Sequence, residues 1–442
     1  MLPTHLLRKV LSRSGTRTRS RGSNDCKCNS LESAPSVLPT VDLAIPANLP
    51  VGGRLRYFWR TWQTFGASHR VVRWLRFGYP LPFFKNHRGL PLTPPLSVQP
   101  PPEIVTSYAD PGKQALLNEQ LDQLVAKQAI REIPHTDHVH FSRVFLVPKK
   151  NGKMRMVADL SRLNQWLQCP SFKMDNAQVV RDALLPDLWA TSIDLTDAYL
   201  HIPIHPSCQK FLVFQVGNRR FMWLVLPFGL NTAPRVFSDV MKVLKQWGRT
   251  VGILLFQYLD DWLQLNMNAK ILAQQTQQLI QQCMALGLLI NHEKSDIVPM
   301  QRIVFLGDML DFEQGFIFPT QARFEAIKDK IFRLTRHHDA RFHVVRSLVG
   351  LLTATEKIVP FGRLHFRELQ HFCNQQLAKG SVSSTRVVLP LSVLQDLDWW
   401  STDNKVFNGL SMCQLIPDLQ IQTDASTTGW GISFKGQVWS GT

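Results

Sequence analysis

The stretch Phe256-Gln257-Tyr258-Leu259-Asp260-Asp261-Trp262-Leu263-Gln264-Leu265 sets two adjacent carboxylates in the middle of an apolar, β-prone run. Residues 253–256 before it and Trp262, Leu263 and Leu265 within it predict strand, tight turn, strand. Asp-Asp is a poor pair for a two-residue hairpin turn, where Asn-Gly or Asp-Gly suits the backbone. Two like charges side by side on such a hairpin are costly unless a cation neutralises them. A solvated acidic turn is the plain explanation, because Asp is common in turns. A site for a divalent metal is the other.

The sequence Ser192-Ile193-Asp194-Leu195-Thr196-Asp197-Ala198-Tyr199 lies about sixty residues upstream. Asp194 follows a short apolar run and is placed at a strand end. One upstream carboxylate plus an Asp pair in a hairpin is the set that two Mg²⁺ ions need for nucleotidyl transfer. One ion activates a primer 3′-hydroxyl and the other holds the triphosphate and leaving pyrophosphate, roughly 3.5–4 Å away. Hard oxygen ligands suit Mg²⁺, which keeps waters and borrows substrate phosphates.

Tyr258-Leu259-Asp260-Asp261 resembles the Tyr-x-Asp-Asp box of reverse transcriptases, and Asp194-Leu195-Thr196-Asp197-Ala198-Tyr199 resembles the box that holds their first catalytic aspartate. Between them, Leu226-Pro227-Phe228-Gly229 resembles their Leu-Pro-x-Gly box, with Phe where retroviral enzymes carry Gln. The resemblance implies an α+β right-hand polymerase of fingers, palm and thumb, with a connection region and a truncated ribonuclease H-like start. It also implies RNA-directed DNA polymerase activity, a nucleotidyltransferase reaction with two Mg²⁺ ions (Mn²⁺ as a substitute). Asp194, Asp260 and Asp261 would be the catalytic metal ligands. Lys149, Arg155, Asp197, Ala198, Tyr199, Phe228 and Gly229 would surround the nucleotide, with Tyr199 as the steric gate under the sugar. Phe305, Leu306 and Gly307 would grip the primer.

The flanks sharpen the resemblance. Residues 347–355 and 359–367, with the Gly-Arg-Leu and Gly-Tyr elements at 53–79, resemble retrotransposons of the DIRS type. Those elements encode a tyrosine recombinase, but here the last tyrosine is Tyr258, so no nucleophile follows the His-x-x-Arg pairs at 338–346. Thr423-Asp424-Ala425-Ser426 resembles the first strand of a ribonuclease H domain, and Asp424 matches its first carboxylate. Residues 425–442 hold neither Asp nor Glu, so that domain is expected to be cut off and inactive. The strand bearing Asp424 is expected to pair with a strand spanning 431–439.

Charge and composition place the rest. Lys and Arg number 50 against 33 Asp and Glu, a net charge of +17 that suggests a polyanionic partner. Residues 1–100 carry +12 of it. Residues 1–50 read as a disordered basic tail, with a transit peptide as an alternative. Residues 51–102 read as a helical element that packs on the core, followed by a Pro-rich extended linker from 80. The fingers are expected at 103–190, with a helix over 112–132 and a hairpin turning at Asn151-Gly152. The palm is expected at 191–312, its helix capped by Thr232 with Pro234 in the first turn. The thumb and connection follow at 313–417 and the ribonuclease H fragment at 418–442. Seven scattered cysteines read as reduced thiols, and no apolar run approaches a membrane span. Expected partners are an RNA or DNA template–primer and deoxynucleoside triphosphates, in the cytoplasm or nucleus and with no membrane. The oligomeric state stays open. A decayed or domesticated copy that binds nucleic acid without polymerising is the alternative, and a maturase- or telomerase-like enzyme is a third.

Overall fold

The structure is a computed structural model that describes residues 49–148, 154–337, 339–402, 406–413, 419 and 421–441. The basic tail over 1–48 and the turn with Lys149 therefore lie outside the described residues. The chain divides into two compact units, Met1–Ala183 with Leu188–Leu306, and Leu184–Asp187 with Gly307–Thr442.

In the first unit the strands are β1 (Ile130–Glu132), β2 (Phe141–Pro148), β3 (Met154–Asp159), β4 (Trp189–Asp194), β5 (Val213–Val216), β6 (Arg219–Trp223), β7 (Leu254–Tyr258), β8 (Asp261–Asn266) and β9 (Arg302–Phe305). One sheet has the order β1-β6-β5-β2-β3 and another the order β4-β8-β7. In the second, the strand period of two separates two jobs. Ile193, Leu255 and Trp262 point one way, into a core shared with the helix Ala233–Thr250 and the helix Ala269–Ala285. On that face the Thr191 hydroxyl is 2.9 Å from that of Thr276. Asp194 and Asp261 fall on the opposite face by the same alternation.

The first helix after 233 buries Val236, Phe237, Val240, Met241 and Leu244 at helical spacing, as the sequence suggests. Its expected cap is absent. Thr232 has helical φ/ψ (−87°, −13°) and its hydroxyl caps no amide; Pro234, which has no N–H, removes one of the donors a cap would serve.

Leu55, Phe58, Trp62, Val71 and Leu75 of the N-terminal element lie in the main core, and the Trp62 indole donates to Leu286 O at 2.9 Å. This element docks tightly, since a Cβ on Gly52 would sit 2.2 Å from Gln128 O. Two expectations are corrected here. Residues 80–102 are extended but not a loose linker, because Leu81 and Phe83 are buried and residues 79, 83 and 97 bridge to 204, 167 and 139. The helix Pro111–Ala126 stops short, and Ile130 begins β1 because it pairs with Trp223 of β6. Arg220, for which the sequence pattern sets no expectation, is fully buried. It donates to Gln215 Oε1 (2.9 Å) and His135 O (2.8 Å) and lies over the Phe141 ring.

In the second unit β10 (Asp308–Asp311) pairs with β11 (Phe316–Pro319), β12 (Asp339–Arg341) with β13 (Arg386–Val388), and β14 (Leu410–Ser411) joins β11. Its core forms where the helices Gln321–His337, Phe342–Thr355, Arg367–Ala378 and Leu391–Trp399 pack, around Phe324, Leu348, Phe366 and Trp400. The segment around Asp424 forms a meander of β15 (Gln422–Ala425), β16 (Trp430–Phe434) and β17 (Gln437–Gly441). The expected strand over 431–439 is thus two strands. Lys435 and Gly436 both have positive φ (47° and 80°) and turn the chain between them.

Candidate active site

The hairpin β7–β8 closes on the pair Tyr258–Asp261, so the two turn residues are Leu259 and Asp260. Asp260 and Asp261 are therefore not the two turn residues themselves: Asp261 is the first residue of β8. Leu259 takes φ of +54°, a position at which a two-residue turn prefers glycine. The Trp262 indole donates to Leu259 O at 2.8 Å and holds the turn from below. Asp194, the last residue of β4, lies directly opposite Asp261 in the antiparallel register. The Asp260 carbonyl accepts from Leu195 N at 3.2 Å. Three carboxylates thus converge from two strand ends.

Their electrostatics are unfavourable. Loss of water around the hairpin, then the like charges of Asp260 and Asp194, push the Asp261 carboxyl up to about 6, although the residue as a whole is exposed. Burial and Asp194 also raise Asp260. Lys294 opposes both, with its ammonium 4.0 Å from Asp194 Oδ1. Ser295 accepts from Asp194 N at 3.0 Å and donates to Asn291 O at 2.7 Å, which fixes the loop beneath the acid. This set fits divalent cations: hard oxygen donors, partly exposed, carrying more negative charge than one lysine offsets. Among the described residues no group of three or more His, Cys, Asp or Glu side chains is already arranged to hold a metal ion, so the fit rests on the chemistry of these donors.

The other candidates fall as follows. Ala198 and Tyr199 are buried in the short turn after β4, and the Tyr199 ring packs on Phe228 (5.0 Å) and Phe237 (5.5 Å). Burial, then Asp260 and Tyr258, raise the Tyr199 phenol above its ordinary value. Phe228 is half exposed, and Gly229 (φ 95°) touches β3, where a Cβ would meet Ala158 O at 2.4 Å. Asp197, in the left-handed region, accepts from Lys127 Nζ at 2.7 Å. A cavity of about 140 Å³ joins Asp197, Phe228, Met156 and Lys127. Arg155 is exposed on β3, opposite Val147. Phe305 is buried at the end of β9, and Leu306 and Gly307 both have positive φ (49° and 80°). Asp424 is exposed on β15.

The sequence did not reveal Asp175. Its carboxylate accepts from Gln257 N at 3.0 Å and from the Lys245 ammonium. β7 is an edge strand, and Asp175 satisfies an amide beside the Leu259–Asp260 turn that no strand reaches. A lone Asp in a loop carries no sequence signal for this. Lys294 and Ser295 were equally hidden, because only the fold brings them to Asp194.

Residues 147–310 match the family model described as reverse transcriptase (RNA-dependent DNA polymerase). Over that segment the chain is similar to the reverse transcriptase family. It is 23% identical over 333 residues to the transposon Tf2-3 polyprotein of Schizosaccharomyces pombe, covering 73% of this chain and 22% of that one. It is 22% identical to polyprotein P3 of Commelina yellow mottle virus (75% and 17% covered) and 27% identical to the genome polyprotein of Petunia vein clearing virus (57% and 11%). The chain thus spans about a fifth or less of the curated relatives it matches. Among solved structures it resembles the foamy viral protease–reverse transcriptase in complex with double-stranded DNA (TM-score 0.58, 18% identity, 90% of this chain and 69% of that). It also resembles the same enzyme in complex with an RNA/DNA hybrid (TM-score 0.57, 18% identity, 76% and 43%). The fold is a right-hand polymerase fold.

The folded state binds the Asp261 proton more tightly than the unfolded chain. In metal-free buffer stability should therefore fall as pH rises from about 4 through about 6. Asp261→Asn removes this penalty. Thermal melts should show the variant more stable than wild type near pH 7.5 and equal to it near pH 4; a stability difference independent of pH would refute the electrostatic account.

Proposed function

We propose that this domain is an RNA-directed DNA polymerase of a retrotransposon that adds deoxynucleotides to a primer 3′ end. One observation carries the reading: Asp194 stands opposite Asp261, with Asp260 beside it on a strained turn. These three residues would hold the two divalent ions, which, when bound, supply a Lewis acid for the 3′-hydroxyl and charge neutralisation for the pyrophosphate. Every other role belongs to the chain. Arg155 grips the triphosphate from β3, and the resemblance assigns Lys149 the same role, placing positive charge where negative charge builds up. Tyr199, held by Phe228 and Phe237, sits beneath the sugar and excludes a 2′-hydroxyl. Gly229 lets Phe228 approach the nucleotide side of β3, and Asp197 braces the turn through Lys127. Asp175 is a positioning residue for β7. Phe305, Leu306 and Gly307 contact the primer end.

The domain reading follows the sequence: fingers 103–190, palm 191–312, thumb and connection 313–417. The resemblance of 53–79 and 347–367 supports the DIRS subtype. A decayed copy that only binds nucleic acid remains the second reading, and the intact trio of aspartates speaks against it.

Purified chain should extend a DNA primer on an RNA template. Asp260→Asn should slow extension by roughly a hundred- to thousandfold while template–primer affinity holds. Wild-type rates in that variant would remove the metal assignment, and no extension by the wild-type chain would favour the decayed copy. Tyr199→Ala should raise ribonucleotide over deoxynucleotide incorporation by about tenfold or more, read in single-nucleotide addition; unchanged selectivity would exclude the gate.

A ribonuclease H site needs several carboxylates converging on two metals. Asp424 stands alone on an exposed meander with no carboxylate on β16 or β17. These 442 residues should therefore leave the RNA of a labelled RNA–DNA hybrid uncut. Cleavage that disappears in Asp424→Asn would contradict this.

A further inference from the structure

The helix His69–Phe77 divides its faces sharply. Val71, Val72 and Leu75 are buried, while His69, Arg70, Arg73, Arg76 and Phe77 are exposed. Residues 49–102 contain eight Lys or Arg and no Asp or Glu. A solvated basic helix is the ordinary explanation for such charge, but two observations point beyond it. The first is aromatic interleaving. Phe77 is 51% exposed, Arg76 lies over the Phe77 and Trp59 rings (4.7 and 4.5 Å), and Arg70 lies over Trp74 at 5.0 Å. A cavity of about 400 Å³ opens among His69, Arg73, Trp74, Phe77 and His205. Exposed π-faces beside cations suit unpaired bases and their phosphates.

The second observation is continuity with the active site. Arg70 ion-pairs with Asp239 at 3.0 Å, and Asp239 belongs to the wall of a second cavity of about 480 Å³. That cavity is lined by Lys173, Lys242, Arg249 and Gln257 and reaches Leu259 of the catalytic turn. Gln257 Nε2 has no hydrogen-bond partner among the described residues. A row of donors and cations therefore runs from the turn along the helix Ala233–Thr250 to the helix His69–Phe77, broken only by acids already paired, Asp175 with Lys245 and Asp239 with Arg70.

We propose that this surface, which joins the element before the matched residues to the helix Ala233–Thr250 within them, binds the unpaired RNA strand of the template, with phosphates on Arg73, Lys173 and Lys242 and a base on Phe77. The strand's identity rests on the polymerase reading; the binding does not.

The test is fluorescence anisotropy on the purified chain, without metal or nucleotide, using a blunt primer–template duplex and one with an RNA template overhang of about 16 nucleotides. Wild type should bind the overhang duplex about tenfold or more tightly, which is one stacked base or better. Arg73→Ala/Phe77→Ala should lose that gain and keep its affinity for the blunt duplex. Its log–log salt slope on the overhang should drop by about 0.7 for the lost phosphate contact. Arg73→Lys/Phe77→Trp, which keeps charge and stacking surface, should restore the gain. No gain in wild type, a gain equal in the Ala variant, or a gain with a DNA overhang but none with RNA would each overturn the proposal. A chain that cannot extend a primer but shows the variant-sensitive gain retracts the polymerase reading and supports this one. A chain that extends primers without any overhang gain does the reverse.

Discussion

The structure turns on a repulsion. Asp194 and Asp261 are directly opposite in an antiparallel pair, an arrangement in which like charges destabilise a sheet. The sheet tolerates it because the face behind the acids is well packed. Ile193, Leu255 and Trp262 bury against two helices, so the register is set by hydrophobic burial and the acids are carried along with it. Lys294 offsets part of the charge and leaves the rest uncompensated by a nearby lysine ion pair. Stability given up at this point is what a bound cation would restore under the proposed function.

Holding such a site requires bracing from outside the sheet. β7 has an open edge, and Asp175 reaches across to its Gln257 amide while Lys245 neutralises the carboxylate. Lys127 ties the turn after β4 to the end of the helix Pro111–Ala126 through Asp197. Gln120 of that helix donates to Met154 O and accepts from Met156 N, which fastens it to the free edge of β3. Gly229 then closes against Ala158 of the same strand. In three of these four links a charged or polar side chain does the work of a missing strand or turn partner.

Much of this was legible in the sequence, and the reason is local. The strand–turn–strand around 260, the strand ending at Asp194 and the buried face of the helix after 233 all follow from periodicity over a few residues. The sequence pattern sets the turn one residue too late, because a Leu at positive φ breaks the rule that turn residues announce themselves. Thr232 looked like a cap, but its backbone is already helical. The Pro-rich stretch 80–102 looked free because prolines read as linker, whereas its few apolar residues, Leu81 and Phe83, pin it to the core. Arg220 could not be foreseen as buried, since its acceptors Gln215, His135 and Gln99 are supplied by distant loops. Asp175 and Lys294 belong to the same class: contacts across 82 and 100 residues leave no periodic trace.

The separation of chemistry and packing onto alternate sides of β4 and β8 also limits how the gene can change. Losing or gaining one codon inside either strand would send Asp194 or Asp261 into the helices and expose Ile193 or Trp262 to water. No neighbouring substitution repairs that, because the whole strand changes sides at once. These two segments are therefore fixed in length far more strictly than in composition. Variation in length has to be absorbed where side chains have no shared phase to keep, in the loops that join the strands and helices.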